Sequence, residues 1–69
     1  MKTNWEQRLG DNVRSARRRA GIRKGRFCLA AGIARPTLDH IEAGEANITM
    51  ECLGRIARAL GTEPWKLLR

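Results

Sequence analysis

Sixty-nine residues are enough for one small domain, and only two cysteines, Cys28 and Cys52, are present to staple it. Fourteen Lys and Arg stand against seven Asp and Glu for a net charge of +7, and eleven of the fourteen are Arg, which points to a polyanionic partner. The lack of a CxxC or a His/Cys ligand cluster argues against a structural metal or a disulfide framework, and no stretch approaches the ~20 apolar residues of a membrane span.

Residues 1–3 are expected to form a loose tail, with no apolar run of the kind a signal peptide needs. Asn4 followed by Gln7 reads as an N-cap with its capping-box partner. From there Trp5, Leu9, Val13, Ala16 and Ala20 fall within one arc of about 80° on a helical wheel, so a first helix is expected over 5–20, closed by Gly21. Trp5 is expected to cap the core. Arg14 and Arg18 project opposite the apolar arc and read as solvated charge or as long-range attraction for a polyanion.

A second, short helix spans 24–31, with Phe27, Cys28 and Ala31 facing inward and Gly32 as its stop. Gly25 costs it about 1 kcal/mol relative to Ala, so packing must hold it. A third helix spans 35–43, with Pro36 in its first turn, where a missing N–H does no harm, and Gly44 after it. Its wheel divides into Thr37, Leu38, Ile41 and Glu42 on one side and Arg35, Pro36, Asp39 and His40 on the other. Thr49 caps a fourth helix through Leu60, with an apolar stripe of Met50, Leu53, Ile56, Ala57 and Leu60 and a stop at Gly61. Glu63-Pro64 opens a last turn or two through Leu68, with Leu67 and Leu68 facing the core. No segment alternates with period two, so the expectation is an all-α, compact five-helix bundle without a sheet.

The stretch from Ile22 to Gly44 carries the functional signal. Two short helices joined by the tight Gly32-Ile33-Ala34 turn, the second exposing polar side chains on its leading half, meet what major-groove reading demands. At the start of the second helix Arg23 and Lys24, with Arg26 on the same turn, sit beside free N–H groups that favour phosphate.

The spacing of Arg17, Gly21, Ile22, Phe27, Cys28, Ala31, Gly32, Ile33, Arg35, Thr37, Leu38, Ile41, Glu42, Gly44, Leu53, Ile56, Ala57, Leu60 and Gly61 resembles the Cro/C1-type helix-turn-helix family, the XRE family of phage-repressor-like regulators. The likeness runs ungapped from Val13 to Leu68. It implies a lambda-repressor-like DNA-binding domain over 1–69, whose helix from Arg35 enters the major groove. The family's base-reading positions fall on Arg35, Pro36, Asp39 and His40, with Thr37 beside them; its backbone clamp falls on Lys24, and its buried ion pair on Arg17 and Glu42. Three positions depart from the pattern. Lys24 stands where Gln is common and offers a point charge instead of an amide. Ala34 replaces the usual Ser/Thr cap of the reading helix, at a loss of roughly 1 kcal/mol. Pro36 has only a thymine methyl to touch.

Alternatives remain at single residues. Arg35 either grips guanine O6 and N7 or holds a phosphate; Asp39 either accepts from cytosine N4 or orients Arg35 one turn back; His40 either donates to DNA or is plain surface. Cys28 reads as core, and Cys52 as the border of the fourth helix's stripe. Trp65 and Leu68 either pack inward or form a two-fold interface, since family members usually dimerise through this region.

The expected function is a cytoplasmic transcriptional regulator, a repressor or autoregulator, that binds double-stranded DNA at a pseudo-palindromic operator as a homodimer. It needs no cofactor, metal or small-molecule ligand, and no membrane. The competing reading is an antitoxin-type module that neutralises a toxin partner and binds DNA secondarily. An enzyme is not expected, because no catalytic constellation can be assembled from these residues.

Overall fold

A computed structural model describes residues 4–45 and 48–69, and of Asn4 only the backbone. The expected tail at 1–3 and the Asn4 side-chain cap lie outside the described residues. Gln7, the other half of that capping box, donates forward to Asp11 at 3.4 Å.

Four α-helices follow in order, α1 (Asn4–Arg19), α2 (Lys24–Ala31), α3 (Arg35–Glu42) and α4 (Met50–Leu60), with a 3-10 turn over Pro64–Leu67 and no strand among the described residues. The fifth helix is therefore only a turn. Its four residues close with i→i+3 bonds, from Lys66 N–H to Glu63 and from Leu68 N–H to Trp65, and Pro64 leaves no room for an α-helical ladder to start earlier.

The core collects one stripe from each element: Leu9 and Val13 from α1, Phe27, Cys28 and Ala31 from α2, Leu38 and Ile41 from α3, Leu53, Ile56 and Ala57 from α4, and Leu67 from the turn. Some sequence expectations fail here, among them Ala20, which is exposed just past the end of α1. Trp5 remains 41% exposed and Met50 77% exposed, because both sit at the leading ends of their helices, beyond the neighbours that would cover them. Leu67 is buried and Leu68 half-buried, while Trp65 is 58% exposed under the cationic groups of Lys66 and Arg69, 5.6 and 5.5 Å from its ring centre. Asn12 anchors the turn to α1 by donating to the Leu67 carbonyl at 2.9 Å and the Arg69 carbonyl at 3.2 Å.

Two glycines set the geometry that matters for α3. Gly32 takes a left-handed φ of 69°, which an L side chain would strain; the Ile33 N–H then reaches back to the Cys28 carbonyl at 3.1 Å, and α3 departs from α2 after two further residues. Gly10, in the middle of α1, lies directly against the carbonyl of Ile41, so any β-carbon there would collide with the backbone of α3. The close approach of α1 to α3 thus depends on a side chain that is absent.

Candidate nucleic-acid interface

The side of α3 away from the core carries Arg35, Pro36, Thr37, Asp39 and His40, all exposed, whereas Leu38, Ile41 and Glu42 are buried. The wheel groups Thr37 with the inward side, and the structure places it with the outward residues, at the flank facing the loop that follows α3.

The inward side of α3 is locked by charge. The Arg17 guanidinium donates from Nε to Glu42 Oε2 at 2.8 Å and from Nη2 to Oε1 at 3.2 Å, and its Nη1 donates to the Ile22 carbonyl at 3.0 Å. Both partners are nearly inaccessible, at 7% and 4% exposure. Hydrogen bonding of the guanidinium to Glu42 raises the Arg17 pKa further above its ordinary range, outweighing the opposing effect of burial. One fork thus joins α1, the loop after it and α3. The sequence leaves Arg14 as solvated charge or as long-range attraction for a polyanion. Arg14 instead donates from Nη2 to the backbone carbonyl of Glu42 and places its Nε 3.8 Å from Glu42 Oε1, so it closes the C-terminal end of α3, where a cation complements the helix dipole.

The outward side has its own, open network. Lys24 Nζ donates to Asp39 Oδ1 at 3.2 Å, and Arg35 Nε lies 3.5 Å from the same oxygen. Hydrogen bonding by Lys24, more than the charges of Lys24 and Arg35, holds the Asp39 carboxyl below the usual carboxylate range. Lys24 therefore bridges α2 to α3 by a charged contact. His40 Nδ1 lies 3.5 Å from Glu45 Oε1.

The helix starts differ in a way that bears on anion binding. Thr49 caps α4 by accepting from the Cys52 N–H at 3.1 Å. Neither Arg23 at the start of α2 nor Ala34 at the start of α3 makes a side-chain cap bond, so their leading N–H groups remain open to an outside acceptor. The start of α2 opens into a basic concavity of about 840 Å³ walled by Arg18, Arg23, Lys24, Arg26 and Arg35. Gly25 leaves this wall low, with nothing within 4 Å of where its side chain would stand.

The remaining candidate residues separate from this face. Cys28 is buried and Cys52 half-buried, both free, and burial pushes both thiols up, which disfavours the reactive thiolate. Among the described residues no group of three or more His, Cys, Asp or Glu is placed to hold a metal ion, and no helix is long and apolar enough to cross a membrane. Trp65 and Leu68 lie on the 3-10 turn and just beyond it, not on α3's face.

Residues 8–67 match a family whose model is described as a helix-turn-helix domain. No curated protein sequence matches the chain. Among solved structures, the restriction-modification controller protein C.AhdI from Aeromonas hydrophila is similar with a TM-score of 0.84 at 24% identity, over 90% of this chain and 94% of that one. The hypothetical transcription factor NHTF from Neisseria is similar with a TM-score of 0.88 at 25% identity, over 94% of this chain and 75% of that one. The clp gene regulator ClgR from Corynebacterium glutamicum gives a TM-score of 0.87 at 24% identity, over 99% and 72%.

Proposed function

The chain belongs to the helix-turn-helix domain family, and from that premise we propose that it is a sequence-specific regulator of transcription that inserts α3 into the major groove of an operator. The observation that carries this reading is the outward side of α3: Arg35, Pro36, Thr37, Asp39 and His40 stand exposed along a helix whose opposite side is fixed to the core.

Arg35 reads a guanine through O6 and N7, the pairing its fork fits best. Asp39 orients Arg35 rather than contacting cytosine; the 3.5 Å approach of the two side chains supports this choice. His40 and Thr37 donate to base edges at the trailing flank, and Pro36 offers its ring to a thymine methyl. Arg23, Lys24, Arg26 and the open N–H groups of α2 hold a backbone phosphate, which fixes the register of α3 without reading sequence.

One such helix reads few base pairs. A homodimer supplies a second, and the exposed Trp65 with half-buried Leu68 is the surface assigned to it. The operator is then a pseudo-palindrome with half-sites about one turn, ~34 Å, apart. The descriptions of the three solved neighbours as a controller, a transcription factor and a gene regulator support a regulatory role. Selection of bound duplexes from a random pool tests the reading: it predicts an enriched inverted repeat, and a pool that stays random after repeated rounds contradicts it.

A further inference from the structure

Three consecutive arginines end α1, and a helix turns by about 100° between neighbours, so they leave it in three directions. Arg17 points into the core and is consumed by Glu42. Arg19 walls a concavity on the far side of α1, together with Lys66 and Arg69. Arg18 takes the direction between them and is exposed. It walls the basic concavity at the start of α2 with Arg23, Lys24 and Arg35, and also a second one, of about 360 Å³, with Lys24, Arg35 and Asp39. Arg18 is thus the α1 residue shared by the two hollows that flank the phosphate clamp and the leading turn of α3.

Its electrostatic setting separates it from the other cations of the second hollow. Arg14, one turn earlier on the same side of α1, is committed to Glu42, and Lys24 and Arg35 share the Asp39 carboxylate. Arg18 has no carboxylate partner among the described residues. A guanidinium held by a rigid helix, next to two cations and facing solvent, is poised for an anion from outside, and a fork of five donors suits phosphate oxygens.

The geometry points to Arg18 as a direct ligand of a DNA backbone phosphate, which extends the interface from α2 and α3 onto the end of α1. This rests on the DNA-binding reading above. It divides a run of three arginines into one structural residue, one DNA ligand and one bystander.

The test compares Arg18→Ala, Arg18→Lys and Arg19→Ala with the parent protein on the duplex recovered by selection, measuring Kd across a range of salt. Each phosphate neutralised contributes about 0.9 to the slope of log K against log[salt]. Arg18→Ala is expected to weaken binding and to reduce the slope by about 0.9, Arg18→Lys to keep most of the slope, and Arg19→Ala to leave it unchanged. Thermal melting should be alike in all four proteins, since both positions are exposed. An unchanged slope in Arg18→Ala overturns the assignment while leaving the DNA-binding reading intact. Equal losses in Arg18→Ala and Arg19→Ala also overturn it, by reducing Arg18 to net charge. A parent protein that binds no duplex overturns the reading beneath it.

Discussion

Glu42 and Asp39 stand three residues apart on α3, and each is met by two cations. Glu42 takes both from α1 and keeps only 5% of its side chain exposed, whereas Asp39 takes Lys24 from α2 and Arg35 from its own helix and stays 50% exposed. Breaking a buried pair leaves a charge stranded without water, at several kcal/mol. An exposed pair exchanges its partner for water at little cost. The Glu42 side of α3 is accordingly a fixed clamp, and the Asp39 side is a set of exposed charges able to regroup at little cost.

Removing the clamp should show the largest effect. Glu42→Ala strands Arg17 and removes Arg14's ion pair while leaving Arg14's bond to the backbone carbonyl, and a loss of about 3 kcal/mol is expected, read as a fall in Tm of roughly 4–8 °C per kcal/mol for a domain this size. An unchanged Tm would mean that the pair contributes nothing and that both carboxylates behave alike.

Gly10→Ala comes next. A β-carbon there meets the Ile41 carbonyl, an atom of the α3 backbone that cannot rotate away, and overpacking of this kind costs about 1–3 kcal/mol. Denaturant unfolding should show the loss, whereas Gly25→Ala, with open space around it, should be neutral or slightly stabilising. Equal effects at the two glycines would show that α1 is free to slide on α3.

The smallest effect on stability belongs to Asp39→Asn, whose Tm should match that of the parent. Its effect is expected in binding: without the carboxylate, affinity for mixed-sequence DNA rises and preference at the base read by Arg35 relaxes. Acid should leave this network alone until late. A carboxyl held low by Lys24 keeps its partners above the ordinary aspartate range near 3.9 and loses them only as pH falls through its lowered value. A carbon-detected titration of Asp39 with a midpoint at or above that ordinary range would contradict the bridge.

The apolar stripes were legible because burial repeats with the helix period, and Leu9, Val13, Leu38, Ile41 and Ile56 all stand inside. The same wheel overreached at Met50 and Trp5, since periodicity gives a direction but not whether a neighbouring element extends far enough to cover a helix end. Gly10 escaped notice because its role is a distance between helices, which leaves no local mark. Arg14 looked like surface charge because its acceptor is a backbone carbonyl from a helix distant in sequence, and a carbonyl has no residue type to read. Lys24 was legible as a cation beside a helix start, but its hold on Asp39 depends on the angle between α2 and α3, which only the packed structure defines.

In the proposed complex the outward side of α3 lies against base pairs. Methylation interference on the selected duplex addresses it, because methylation at guanine N7 modifies the major-groove edge and leaves the phosphates untouched. Interference is expected at guanines within each half-site, lost at one guanine in Arg35→Ala together with about 1–3 kcal/mol of discrimination against random DNA. Binding that ignores N7 methylation, or an interference pattern identical in the parent and Arg35→Ala proteins, would contradict it.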